Sequence, residues 1–367
     1  MQFLRHILFL LSFLFFFESL FAQQENMIRG QVCDANTNET LAFVNVIVNG
    51  GRFGGTTDID GKFAITSFEI VRQLTFSYIG YEKRTVSVTD LTTFLNVKLQ
   101  PLIVSLNEVV VYAGENPAHR IIDSVLAYSN KNNPEKLPSF SYTAYDKMVL
   151  TVDLENYRDS LTSIVDTVKS NEGITEMKDF LKERDFFIME TVTDRAFMAP
   201  DKSYENVRGT KMSGFKDPLF IYLLSEVQST SFYNPMIHIM GKNYVNPISN
   251  GSKRKYLFIL EETTPVGNND SIYTISYRPF KNTHFDGLQG VLTIHSDNWA
   301  IQNVKAEPYQ KGQSISIKIQ QLYEKVDSIH WFPKQLNTDI LFNVAAVISG
   351  DRMYPMVGIG KSYLKFR

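Results

Sequence analysis

The sequence predicts a mainly β protein built from two successive β regions, and three observations predict it. Aromatic residues make up 13% of the chain, with 27 Phe and 18 Tyr, and large aromatics favour pleated, half-buried surfaces. Residues 27 to 100 read as short apolar runs separated by glycine and aspartate turns. Farther along, Ile315, Ile317 and Ile319 alternate with Ser314, Ser316 and Lys318, which gives a strand one apolar face and one wet face. A length of 367 residues suits two domains.

The amino terminus reads as an export signal. Arg5 and His6 precede the apolar run Ile7 to Phe17, and Ser19 to Ala22 supply the small residues of a cleavage site. The run is too short to span a bilayer comfortably. Residues 1–22 are therefore expected to be removed. The one cysteine, Cys33, lies too far downstream for a lipid anchor and is expected to be a small buried apolar residue.

Residues 23–100 form the first domain. Its strands are expected at Met27 to Val32, Phe43 to Val48, Phe63 to Ile65, Leu74 to Tyr78 and Arg84 to Val88. Gly50 to Gly55 reads as a glycine-rich connection. Thr57-Asp58-Ile59-Asp60-Gly61 reads as a hairpin turn, with Gly61 taking positive φ. Residues 101–138 read as a linking strand and a helix, capped by Asn116, opened by Pro117 and stopped by Asn132-Asn133-Pro134. Residues 139–367 form the second domain. Strands are expected at Ser141 to Lys147, Phe187 to Val192, Lys255 to Leu260, Ile272 to Tyr277, Gly290 to His295, Ser314 to Ile319 and Thr338 to Phe342. A loop or helical insertion is expected over 153–185, and an amphipathic helix over Asp217 to Gln228. One curved antiparallel sheet with an apolar concave side should result. The strands 272–277, 290–295 and 314–319 should be neighbours in it, covered by the helix 217–228.

Gly30-Gln31-Val32, Asp34, Thr40-Leu41, Val44-Asn45-Val46, Asp58, Asp60-Gly61, Phe63 and Tyr78-Ile79-Gly80-Tyr81 resemble the carboxypeptidase-regulatory-like domain. The resemblance implies a seven-stranded, immunoglobulin- or transthyretin-like sandwich without activity. Asn116-Pro117-Ala118, Met212-Ser213-Gly214-Phe215, Asn246-Pro247-Ile248-Ser249 and Trp331-Phe332-Pro333 resemble a Bacteroidetes-type outer-envelope family that carries this module. Its members run on into a carboxy-terminal membrane barrel, so a chain that stops at Arg367 is expected to be a short member or a fragment. Gly287 to Phe342 also resembles the lipoprotein-carrier half-barrel, which implies a groove for acyl chains. Leu106 to Val111 resembles the segment that opens the plug of a TonB-dependent receptor. The residues that follow are too few for a plug and a 22-stranded barrel.

Composition and motifs narrow the function. A net charge of −2 leaves no cationic excess for nucleic acid. None of the six histidines belongs to a His-Glu-x-x-His pair, so zinc peptidase chemistry is not expected. His238 reads as a satisfied half-buried residue and His295 as a solvent-facing one. Asp58 to Gly61 echoes part of a calcium loop but supplies too few oxygens. No phosphate loop or Gly-x-Ser-x-Gly elbow is present. No catalytic residue, metal ligand or cofactor is expected. Asp-Ser/Thr-aliphatic triplets resemble an O-glycosylation signal and mark Ser124, Ser160, Thr167, Ser271 and Ser328 as candidate sites. The expected function is non-enzymatic binding or scaffolding in the periplasm or at the outer membrane, with a lipid, a peptide or an outer-membrane protein as partner. The alternatives are a hydrolase with its site in 139–367 and an amino-terminal piece of a barrel protein.

Overall fold

A computed structural model describes residues 26–51, 53–67, 69–89, 94–102, 114–152, 185–214, 231–239, 241–266, 270–310, 315–349 and 352–366. The chain divides into two compact units, residues 1–102 and 103–367.

The first unit is a seven-stranded sandwich. Strands β1 (Asn26–Asp34), β4 (Lys62–Ser67) and β7 (Phe94–Leu99) make one sheet, in the order β4-β1-β7. Strands β2 (Asn45–Val48), β3 (Phe53–Thr56), β5 (Gln73–Ser77) and β6 (Arg84–Ser87) make the other, in the order β3-β2-β5-β6. Alternation buries Val32, Val46, Leu74, Phe76 and Leu99 between the sheets. The rings of Phe63 and Phe76 meet across the gap at 5.4 Å. Three sequence expectations need correction. The glycine-rich stretch contains a strand, β3, and Phe94–Leu99 adds an unread one. Gly61 does take φ +72°, but its turn joins β3 to β4, which lie in different sheets, so it crosses the sandwich rather than closing a hairpin. Cys33 is half-buried, not fully buried.

Asp34 fastens the end of β1. Its carboxylate accepts the amides of Asn36 (2.6 Å) and Thr37 (3.0 Å) and the Tyr81 hydroxyl (2.7 Å). The Tyr81 bond leads in holding this carboxyl below the usual range. A depressed pKa adds stability above the unfolded value and loses it as pH falls through the folded one. Asp34→Ala is expected to cost about 2 kcal/mol, because three donors lose a charged acceptor. Chemical denaturation of the isolated first unit at neutral pH measures it, and a midpoint equal to wild type would remove Asp34 from the account.

The second unit is one ten-stranded antiparallel sheet around a helix. Helix α1 (Pro117–Asn132) is capped by Asn116, whose side chain accepts from the Ala118 amide, with Pro117 opening the first turn. The strands are β8 (Ser139–Val152), β9 (Phe187–Met198), β10 (Lys202–Gly214), β11 (Met236–Ile239), β12 (Lys242–Val245), β13 (Tyr256–Val266), β14 (Asp270–Pro279), β15 (Leu288–His295), β16 (Ala300–Pro308), β17 (Ile315–Val326), β18 (His330–Ser349) and β19 (Arg352–Phe366). Strands β13 to β19 meander in sequence. Strand β8 then pairs with β19, and β9 and β10 follow, while β11 and β12 form a separate hairpin.

The sheet must curve, and the contacts of α1 show why. Strands β13 and β18 are five places apart, about 24 Å along a flat sheet. A helix about 10–12 Å across nevertheless touches β13, β16 and β18. Ala118, Ile121, Ile122 and Val125 of α1 are buried against Ile275, Leu292, Val304, Ile317, Ile319 and Ile340 on the concave side. The strands expected at 272–277, 290–295 and 314–319 lie in this sheet, but β16 separates the last two. Ile317 and Ile319 face the core at 4% and 7% exposure. The side chain of Ile315 and the helix expected over 217–228 lie outside the described residues, as does all but the last residue of the insertion expected over 153–185.

Candidate functional site

Register defines the concave face strand by strand. Leu150, Met148, Asp146, Ala144 and Tyr142 of β8 share it with Phe187, Met189, Thr191, Thr193 and Arg195 of β9. Opposite β8, strand β19 presents Gly358, Gly360 and Ser362. Opposite β9, strand β10 presents Met212, Thr210, Val207 and Glu205. Beyond β19, strand β18 presents Ile340, Thr338 and Leu336.

A concavity of about 120 Å³ opens on this face where β8, β9, β10, β18 and β19 meet. Its floor is low along β19, because Gly360 has no side chain between Met148 and Thr338. Met148, Met189, Val207 and Leu336 supply its apolar lining, and Thr191, Thr193 and Ser362 its hydroxyls. Asp146, Arg195 and Glu205 bring charge to the same walls. Arg195 Nη2 lies 3.3 Å from Glu205 Oε1, and the guanidinium also bonds the Tyr142 oxygen. Arg195 Nε is buried and has no hydrogen-bond partner among the described residues. Beyond Arg195 an aromatic cluster closes the end: Phe140 stacks on Phe197 (5.2 Å) and meets Phe332 (5.3 Å), which also meets Phe366 (5.1 Å).

The sheet's two edges differ. Strand β13 is guarded: Asn116 Nδ2 donates to the Phe258 carbonyl at 2.8 Å, and Pro265 sits in the strand. Every residue of β10, from Lys202 to Gly214, is exposed.

Sequence reasoning assigned none of these concave-face residues to a site, although Met212 and Phe332 fall in stretches that carry the family resemblance. Phe187 to Val192 was legible as a strand, but β10 mixes Lys, Glu, Asn and Gly without apolar alternation. The candidate modification sites are scattered. Ser124 is half-buried in α1 and donates to the Arg120 carbonyl. Ser271 is half-buried, its amide bonded to Ser296 Oγ at 3.0 Å. Ser328 is exposed in the turn after β17. Ser160 and Thr167 lie outside the described residues. His238, expected to be half-buried, is instead exposed and pairs with Asn243 at 2.9 Å. His295, expected to face solvent, is half-buried against Trp331 at 5.4 Å, and burial lowers its pKa. Among the described residues, no three His, Cys, Asp or Glu side chains converge as metal ligands, and no helix is long and apolar enough to cross a membrane.

Comparison with known proteins gives this fold its relatives. A model of the carboxypeptidase-regulatory-like domain matches residues 28–111. The model of a family of unknown function, DUF5686, matches residues 121–353, which is more than half of the chain. The chain belongs to this family. The DUF5686 match takes in all but the first four residues of α1, and every strand of the second unit but β19, which it only enters. The chain is also similar to TonB-dependent receptor P39 of Formosa agariphila, 36% identical over 83 residues. That stretch is 22% of this chain and 8% of the receptor, so the chain spans a small part of that relative's length.

Proposed function

We propose that this DUF5686 protein is an exported, non-enzymatic protein of the outer envelope that holds an extended peptide against the concave face of its sheet. The observation that carries the reading is the concavity beside β10. A drug-sized or lipid guest needs about 300–1,000 Å³. A volume of about 120 Å³ instead suits one apolar side chain. Arg195 is already engaged by Glu205 and Tyr142, which supports charge balance over acid–base catalysis. The regulatory-like module and the stretch shared with a TonB-dependent receptor support an outer-membrane setting. The apolar run before Gln23 supports export.

A fluorescein-labelled peptide alternating valine and serine tests the reading by anisotropy. Gly360→Leu, which fills the trough beside Met148, is expected to weaken binding about tenfold, the worth of roughly half a buried leucine. Unchanged affinity in a folded Gly360→Leu protein would overturn the concave-face assignment.

A further inference from the structure

We propose that the open edge of β10 is a strand-addition site for an acidic extended segment of another protein. The proposal rests on the peptide-binding reading above and adds where the guest's backbone lies and what charge it carries.

Strand β10 is 13 residues long, about 44 Å of edge. One side of it is taken by β9, in a register that runs from Lys202↔Met198 to Gly214↔Phe187. Among the described residues the other side has no neighbouring strand. An uncovered edge offers a row of backbone donors and acceptors, and a guest strand can take them up. The same strand forms a wall of the concavity through Glu205 and Val207. A strand laid beside β10 therefore sets its alternate side chains next to that concavity. The edge then adjoins the β10 wall of the cavity: main-chain bonds along β10, and an apolar side chain beside Val207.

Charge selects the occupant. Within β10, Lys202, Arg208 and Lys211 stand against Glu205, a balance of three positive charges to one negative. Arg208 is held by Asp194 at 2.6 Å, and Glu205 by Arg195. Lys202, opposite Met198, and Lys211, opposite Glu190, make no ion pair among the described residues, and they stand toward opposite ends of the strand. Lysines on an edge, and a bulge such as the one between Val207 and Gly209, are how sheets discourage pairing with their own kind. A second copy paired antiparallel in the register that faces Lys202 with Lys211 would bring like charges together at both ends. An acidic strand would meet a lysine at each end, so the devices that exclude self-association favour this guest.

Three labelled ten-residue peptides test the site: one alternating glutamate and valine, one alternating lysine and valine, and the first with every residue N-methylated. The acidic peptide is expected to bind at least about tenfold tighter than the basic one, and to weaken as salt rises from about 0.05 to about 0.5 M. N-methylation removes backbone donors and should abolish binding. Hydrogen exchange should slow in residues 202–214 when the acidic peptide is added. Lys202→Glu with Lys211→Glu, both at exposed positions, should invert the preference between the two peptides. Equal binding of both peptides, binding that survives N-methylation, or unchanged exchange in β10 would each overturn the proposal. So would a concentration-dependent dimer whose formation protects the same residues. If the lysine variant changes nothing while Gly360→Leu still weakens the valine–serine peptide, strand addition fails and the concave-face reading stands.

Discussion

Above pH 10 the second unit is expected to unfold cooperatively, with its core tyrosines ionising only as it does so. Burial pushes Tyr256 up to about 12, and pushes Tyr233, Tyr277 and Tyr323 up as well. In the unfolded chain a tyrosine titrates near about 10. Above that pH the unfolded state holds fewer protons than the folded one, so stability falls as pH rises. Each such tyrosine withdraws about 1.4 kcal/mol per pH unit, and four together withdraw about 5 kcal/mol per unit. Over little more than one unit that approaches the whole stability of an ordinary domain. Lys305 acts in the opposite sense at lower pH. Burial, with the Lys318 charge nearby, pulls it down to about 8 from 10.5. Between those values the unfolded state binds a proton that the folded state has released, so this group's contribution rises with pH. Together these groups raise stability between about pH 8 and pH 10 and lower it steeply beyond. Phenolate absorbance and far-ultraviolet circular dichroism, followed together, check this. A smooth titration of every tyrosine near pH 10 with the dichroism unchanged would show that the core is open to hydroxide.

What could be read from sequence followed the strength of local signals. Asn116-Pro117 at one end and Asn133-Pro134 at the other bounded α1 correctly, because caps and prolines act within a few residues. The strict alternation of Ile317 and Ile319 with Ser316 and Lys318 marked a strand with one buried face. Strand β16 was missed because Ala300, Ile301, Asn303 and Val304 are all buried, which erases the period of two. Strand β10 was missed for the opposite reason: with both faces exposed it has no apolar period at all. The site could not be read either. Its floor is made by the pairing of β8 with β19, more than 200 residues apart in sequence, and that pairing sets Met148 opposite Gly360. Nothing local to Met148 or Gly360 announces that register. The polar wall has the same origin, since Arg195 and Glu205 become neighbours only when β9 and β10 pair.

Replacing Gly290 should destabilise the second unit more than any surface change. Gly290 lies in β15 with φ +155°, opposite Tyr277 on one side and Ala306 on the other. A β-carbon built there would stand 1.9 Å from the Lys305 carbonyl oxygen, a backbone atom that cannot move without its strand. That same carbonyl accepts the Tyr277 hydroxyl at 3.1 Å. The tyrosine is in register with Gly290, and its hydroxyl reaches past the glycine to the next strand, over a position that carries no side chain. Tyr277 is 3% exposed, so its hydroxyl has no water to fall back on. Gly290→Ala is therefore expected to cost about 3 kcal/mol or more, from a strained backbone and an overfilled contact. Tyr277→Phe should cost about 1 kcal/mol, since it removes one hydrogen bond and keeps the ring. The double variant should cost less than the sum, because once the ring is displaced its hydroxyl has little left to lose. Urea denaturation of the three proteins measures all of this. A Gly290→Ala protein within about 1 kcal/mol of wild type would mean that β15 and β16 can separate locally without loss, contrary to the close approach at Lys305.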